Sequence, residues 1–440
     1  MYRKIKIFIA DFLKSNSNKI LVIDGARQIG KSFIIRETGK EIFKNYVEIN
    51  LLEDSLNDRL FEKTKNTDDF YLQLSMFAGN QLGQKSDTLI FFDEIQAYPH
   101  LLTLLKFLKQ DDRFTYIASG SLLGVTLFQT SSIPMGSIEV KHMYPMDFEE
   151  FLIANGVGDI AISALKSKFT KKETLEENLH NKILDLFKKY LLSGGLPDAV
   201  KTFIETSNIV KVRDIQKQIH EFYGMDASKY DIQNKLKIKR IYDMIPSNLE
   251  NKKKRVKVQD IEDKKGKRFS DYQEGFDYLV SAGIALEVHA VSNPVFPLDQ
   301  STSKNLLKLY LNDVGILSGI LYQNNIRSIL DNQKSVNLGS LYESVVAQEL
   351  VAHGNKLFYY DNKAKGEVDF LLNDYENLSV LPLEVKSGKD YTVHSALNTF
   401  VANPDYKTKN AIVLSNERKI ITNGKNITYM PIYFAMFLGV

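Results

Sequence analysis

KILVIDGARQIGKSFII, residues 19–35, runs an apolar strand into a glycine-bearing loop and out into a helix. Gly25-Ala26-Arg27-Gln28-Ile29-Gly30-Lys31-Ser32 fits G-x-x-x-x-G-K-[ST] at every position. Gly25 and Gly30 permit a tight turn whose backbone N–H groups point inward at phosphate oxygens. The helix starting near Lys31 adds its N-terminal dipole. Lys31 supplies a point charge for β- and γ-phosphates, and the Ser32 hydroxyl suits Mg²⁺. A glycine loop that merely caps a helix is the plainer alternative. The strand before and the helix after favour a nucleotide, with residues 25–32 as its cradle.

A partner motif is expected on a second buried parallel strand, and TLIFFDEIQ (88–96) supplies it. Asp93 and Glu94 fall at the C-terminal end of that strand, where ligands bind in open α/β sheets. Asp93 is expected to hold Mg²⁺ through its water shell, and Glu94 to polarise the attacking water. A helix cap after a strand would also explain the aspartate. FTYIASGSLLG (114–124) reads as another strand. Its end places Ser119 as a candidate contact to the γ-phosphate or the attacking water.

GARQIGKS, LIFFDEIQAYPHLLTLLKFL, IASGS and YPMDFEEFL together resemble the AAA-type ATPases of the bacterial and archaeal "archaeal ATPase" class. The resemblance implies ATP and Mg²⁺ as cofactors and ATP hydrolysis as the reaction. ATP over GTP rests on it alone. Phe148-Glu149-Glu150-Phe151 stands where that family has its Pro-Leu-Ser-Phe-x-Glu-Phe segment. Many members carry Gly-Arg upstream of it, whereas this chain has Gly136-Ser137. An arginine that stabilises the transition state is therefore unassigned. Lys141 is a stand-in on position alone.

The chain's 440 residues leave room for two to four domains. Its net charge of +3 argues for no partner, and the absence of cysteine excludes disulfides and thiolate chemistry. That absence agrees with a reducing, cytoplasmic setting. The opening MYRKIKIFIADFLKSN reads as an amphipathic first helix rather than a signal peptide. The closing YMPIYFAMFLGV is too short to span a membrane and reads as a buried terminal strand.

Residues 156–225 carry helical apolar spacing, with Gly194-Gly195 ending one helix and Pro197 opening the next. Lysine and arginine then cluster in KLKIKR, ENKKKRVK and DKKGKRFS. Helices expected at about 234–249 and 270–283, followed by a strand pair at IALEVHAV, suit a winged helix-turn-helix on nucleic acid. A solvated basic face is the alternative. Contacts to DNA or RNA would fall mostly on phosphate.

The last motif is GEVDFLLNDYENLSVLPLEVKSGK, residues 366–389, which reads as two strands and a turn. Strict alternation puts Glu367 and Asp369 on one face and Val368, Phe370 and Leu372 on the other. Glu384 and Lys386 likewise share a face. Paired strands would bring these charges together, at a cost relieved by a cation. The amphipathic helix NLGSLYESVVAQELVAHG adds Glu343. The pattern resembles the restriction-endonuclease-like PD-(D/E)xK fold. Asp369 takes the strand aspartate's place, Glu384-Val385-Lys386 the E-x-K, and Glu343 the helix glutamate. The resemblance implies Mg²⁺ on Glu343, Asp369 and Glu384, with Lys386 beside the attacking water. The ATPase family often carries such a C-terminal domain.

These readings describe an α/β protein: a P-loop AAA-like ATPase (1–155), a helical lid or connector (156–230), a winged helix (231–305) and a nuclease-like domain (306–440). It would bind and hydrolyse ATP and act on DNA or another nucleic acid, with metal-dependent cleavage as a second activity. The alternative is an ATP-driven switch that binds nucleic acid or a protein partner without cutting. Oligomer formation is left open by the missing arginine.

Overall fold

The computed structural model describes residues 1–15, 17–121, 136–230, 235–262, 266–331 and 338–439. Part of the basic run DKKGKR, at 263–265, lies outside them. The chain divides into two compact units, Met1–Tyr144 with Ser281–Gly283, and Pro145–Val280 with Ile284–Val440. No described helix is long and apolar enough to cross a membrane.

The first unit is built on five strands: β1 (Ile20–Asp24), β2 (Asn45–Asn50), β3 (Thr88–Asp93), β4 (Thr115–Gly120) and β5 (Ile138–His142). They are all parallel, in the order β2-β3-β4-β1-β5. Every residue of β1 and β3 is buried, as near-continuous apolar runs require in a sheet covered on both faces. Leu101, Leu102, Leu104, Leu105 and Leu108 bury one side of the helix Pro99–Asp111, whose proline sits in the first turn where no N–H is needed. Because β4 lies between β1 and β3, the end of β4 falls between the glycine loop and the Asp-Glu pair.

The second unit pairs helices with an eight-stranded mixed sheet: β6 (Ala285–Val291), β7 (Thr302–Leu311), β8 (Leu357–Asn362), β9 (Gly366–Asp374), β10 (Ser379–Val385), β11 (Ala411–Ser415), β12 (Ile421–Thr422) and β13 (Ile427–Pro431). Their order is β12-β13-β11-β10-β9-β8-β6-β7. The stretch 156–225 is helical as expected, with helices at Asp159–Lys171, Glu177–Ser193, Pro197–Thr206 and Ile209–Tyr230, and the break between the second and third falls at Gly194-Gly195 and Pro197.

Several expectations need correction. The strand pair expected at IALEVHAV is a single strand, β6, which pairs antiparallel with β7 and in parallel with β8. Strands β6 and β7 are the edge of the large sheet, and the boundary expected at 305/306 falls inside β7. The tail is buried as expected, yet its strand stops at Pro431 and Ile432–Phe437 continue as a 3₁₀ helix.

The helix Gly339–Ala352 is not amphipathic: every residue from Ser340 to Leu350 is buried. Two of its polar side chains are tied to the helices and turn packed around it. Glu349 accepts from the Phe148 N–H at 2.8 Å, and Gln348 donates to the Tyr190 hydroxyl at 2.7 Å.

Strict alternation also fails in β9. Phe358 pairs with Leu371 but Tyr360 with Val368, so β9 carries one extra residue there. Val368 and Leu371 both join the buried cluster around Phe400. Phe370 instead lies near Tyr310, ring centres 6.1 Å apart.

Candidate functional site

The glycine loop has the backbone its sequence demands. Gly25 has φ +142° and Gly30 +90°, both outside the range most side chains accept. A β-carbon on Gly25 would sit 2.3 Å from the Met143 carbonyl oxygen. Gln28 is held at φ +65° without glycine's freedom. Ala26 and Ile29 are buried, so the middle of the loop is anchored from beneath. Arg27 reaches away from it, donating from Nε to Ser121 Oγ at 3.3 Å.

Lys31 lies buried under the loop and donates to the carbonyls of Gly25 (2.9 Å) and Ala26 (2.8 Å). Burial lowers its pKa, against the pull of Glu94, Asp24 and Asp93. Asp93 collects three donors on a single oxygen. Ser32 Oγ donates to Oδ1 at 2.8 Å, Ser119 Oγ at 2.5 Å and the Glu94 N–H at 3.2 Å. Burial raises the Asp93 pKa, and the two serine bonds oppose that rise. Ser119, expected as a contact to phosphate, is fully buried with its hydroxyl committed to Asp93.

Glu94 follows β3 in the left-handed region, φ +54°, which turns its side chain out of the strand's alternation. Its Oε2 accepts from Ser121 Oγ at 2.9 Å and from Gln96 Nε2. Lys31, Ser32, Asp93 and Glu94 therefore meet at one end of the sheet. Lys141 does not join them: its ammonium lies 4.9 Å from the Phe8 ring centre.

Sequence reasoning missed Arg3, which is buried and donates to the carbonyls of Ile29 (3.0 Å) and Tyr144 (2.6 Å). It also missed Gln96 and Ser121, which hold Glu94. No motif marks Arg3, whereas Gln96 and Ser121 close the stretches TLIFFDEIQ and IASGS without a role of their own there.

In the second unit the expected pairing of β9 with β10 is present, Leu383 opposite Phe370. Asp369 Oδ2 accepts from the Val385 N–H at 2.8 Å. Lys386 Nζ lies 2.9 Å from Glu384 Oε1, while Glu384 Oε2 is buried without a hydrogen-bond partner. Burial, then Glu343 and Glu384, push the Asp369 carboxyl well above the usual range. Burial also raises Glu384, with Lys386 opposing.

The surprise is a second set of cations. Lys254 pairs with Glu343 Oε1, and Lys308, fully buried on β7, pairs with Glu367. Glu343 Oε2 accepts from the Tyr310 hydroxyl at 3.2 Å. Burial would lower the Lys254 pKa, but Glu343 and Asp369 outweigh it and raise it.

Among the described residues no three His, Asp or Glu stand together as an ion's ligands. Of the three carboxylates expected to hold an ion, Glu343 pairs with Lys254 and Glu384 with Lys386, while Asp369 accepts from a backbone N–H. The basic runs read as a nucleic-acid face are partly consumed in the same way. Lys254 pairs with Glu343, Arg255 with Asp361 at 2.5 Å, and Lys239 with Asp243 at 2.5 Å.

A family model described as an AAA domain matches residues 17–152. Two models described only as domains of unknown function, DUF8612 and DUF4143, match residues 184–328 and 338–435. No curated protein matches.

Among solved structures, the Walker-type ATPase PABY2304 of Pyrococcus abyssi is similar at 13% identity over 72% of this chain and 95% of that one, TM-score 0.42. PCH-2 of C. elegans matches at 13% identity over 46% of this chain and 60% of its own, TM-score 0.29. The Hsp104–ADP complex of S. cerevisiae matches at 12% over 80% and 42%, TM-score 0.29. At these scores the likenesses carry no detail. The AAA-domain match coincides with the five-stranded parallel sheet and the phosphate loop, and that stretch fits a P-loop ATPase domain.

Proposed function

We propose that the chain binds and hydrolyses ATP at residues 25–32, with Lys31, Ser32, Asp93 and Glu94 as its working groups. The observation that carries this reading is the Ser32–Asp93 hydrogen bond at 2.8 Å, which joins the phosphate loop to the Asp-Glu strand end. Backbone N–H groups of the loop bind the phosphates. Lys31 leaves the carbonyls of Gly25 and Ala26 to meet the β- and γ-phosphate oxygens.

A hydroxyl touching a carboxylate is a donor set suited to Mg²⁺, so Ser32 and Asp93 would hold it. When bound, that ion supplies charge neutralisation at the phosphates. Glu94, released from Gln96 and Ser121, orients the attacking water and accepts its proton. Ser119 acts one step back, positioning Asp93. The test is phosphate release from ATP by the full chain. Wild-type turnover with none in Lys31→Ala supports the reading; equal turnover in both sinks it.

A second reading concerns the second unit, and the unpartnered Glu384 Oε2 favours it. There the Glu343–Asp369–Glu384 cluster with Lys386 serves as a cation site facing a nucleic-acid backbone. This makes the protein an ATP-driven switch on DNA or RNA, with phosphodiester cleavage confined to a form in which the acids are released from their lysines. A panel of single- and double-stranded substrates with ATP and Mn²⁺ tests it. Neither binding nor cutting on any substrate would remove nucleic acid from the account.

A further inference from the structure

The second unit offers four acids, Glu343, Glu367, Asp369 and Glu384, and faces them with three lysines, Lys254, Lys308 and Lys386. Two of those lysines have a fixed place on the sheet: Lys308 lies within β7 and Lys386 directly follows β10. Lys254 is different, because it comes from outside the sheet. It follows the helix Lys235–Glu250, and its backbone enters the left-handed region at φ +50°. Lys252 and Lys253 beside it stay exposed while the Lys254 side chain is only 15% exposed.

Three ties hold the segment across the cluster. Glu250 accepts from Ser340 Oγ at 2.5 Å, on the same helix that carries Glu343. Arg255 pairs with Asp361 at the end of β8. The Val256 N–H donates to the Leu307 carbonyl of β7 at 3.0 Å. These ties place one ammonium on Glu343, beside a Glu384 oxygen that is buried and has no donor. A buried carboxylate oxygen without a partner is costly and marks a place where a cation or donor belongs.

We infer that Lys254 is a tethered stand-in for a divalent cation at this cluster, so that the ion and segment 251–257 exclude one another. The inference rests on reading the cluster as a cation site. Entry of the ion would expel Lys254 and add its charge to those of Lys252 and Lys253 at the surface. A polyanion drawn to that segment would in turn open the acids. Cation binding and phosphate-backbone binding would then assist each other through one lysine.

The test uses the full chain without nucleotide, Mn²⁺ as the probe, and two readouts: Mn²⁺ affinity by electron paramagnetic resonance, and the melting temperature in chelator against Mn²⁺. Wild type and Lys254→Arg are expected to take up little Mn²⁺ and to melt alike in both buffers. Lys254→Met removes the charge and should bind Mn²⁺ about tenfold or more tighter, as close charges shift such equilibria by powers of ten. It should also melt lower in chelator and recover with Mn²⁺. Adding Glu384→Gln to Lys254→Met should abolish the recovery. Should Lys254→Met not fold, Lys254→Gln keeps a donor for Glu343 and should show the same gain in affinity. Equal Mn²⁺ binding by wild type and the neutral variants overturns the role of Lys254 and leaves the cation site standing. No binding by any of them overturns the cation site itself.

Discussion

The Ser32 hydroxyl donates to Asp93 Oδ1 over 2.8 Å. That bond joins the first residue after the phosphate-loop lysine to the end of a strand 61 residues later. It follows from the strand order: β4 separates β1 from β3, and Ser119 at its end donates to the same oxygen. One carboxylate is thereby fixed from a helix start and a strand end. Ser32→Ala is expected to leave folding unchanged and to lower ATP turnover by about 10²-fold, the usual scale for losing one aligned electrostatic partner. Phosphate release across a Mg²⁺ titration checks it. Turnover within twofold of wild type at every Mg²⁺ level would contradict the role given to Ser32.

Glu94 is parked rather than free, its Oε2 taken by Ser121 and Gln96. Glu94→Gln keeps the size and loses the base. The expected variant binds a fluorescent ATP analogue with wild-type affinity but hydrolyses ATP about 10²–10⁴-fold more slowly, the range ascribed to general-base catalysis. Ser121→Ala loosens the parked state without removing the base, so its turnover should equal or exceed wild type. A Ser121→Ala variant as inactive as Glu94→Gln would show that Ser121 does more than hold the glutamate.

Arg3 supports the phosphate loop from the N-terminal segment through Ile29 and Tyr144. Two charge-assisted bonds from a buried guanidinium contribute a few kcal/mol together. Arg3→Ala should lower stability by about 3 kcal/mol, a size typical of breaking a buried hydrogen-bond network. Nucleotide protects by binding the folded form, so saturating ATP should recover part of the loss. Thermal melts with and without ATP measure both effects.

Short-range patterns made the first unit legible. The loop, its strand and the start of its helix lie within 17 residues, and the Asp-Glu pair follows the apolar run Leu89–Phe92. The pairing of β9 with β10 was legible for the same reason, a short turn between alternating segments. The partners of Glu343 and Glu367 were not. Lys254 lies 89 residues from Glu343, and Lys308 lies 59 from Glu367. Lys254 stands in a run of four basic residues that looks like solvated surface. The extra residue in β9 leaves no local mark, since valine, phenylalanine and leucine suit either face. Burial of Gln348 and Glu349 was hidden too, because helix periodicity cannot reveal that other helices cover the polar side.

Gly194 closes the helix Glu177–Ser193 at φ +67°, and a β-carbon there would stand 2.1 Å from Asp313 Oδ1. The clash is with a carboxylate held by backbone donors, so it cannot swing away freely. Gly194→Ala should destabilise the second unit by more than about 2 kcal/mol, strain in the left-handed region adding to the overlap. Urea unfolding reports it. A midpoint unchanged from wild type would mean that Asp313 moves aside.

Asp313 itself should make stability depend on pH. It caps the helix Val314–Tyr322, accepting from the Ile316 N–H at 3.1 Å and the Gly195 N–H at 2.6 Å. Burial raises its pKa from the ordinary 3.8 to about 6, with the N–H donors of Gly195, Ile316, Gly315 and Leu196 opposing the rise. The folded form therefore holds the proton more tightly than the unfolded chain. Its contribution is complete below the unfolded value near pH 4 and is lost as pH rises through 6. A shift of roughly two units corresponds to about 3 kcal/mol between pH 4 and pH 7. Asp313→Asn retains one acceptor oxygen and cannot ionise, so its urea midpoint should change less with pH over that interval than the wild-type midpoint does. Parallel profiles for the two proteins would show that Asp313 keeps its ordinary pKa on folding, its four N–H donors balancing burial.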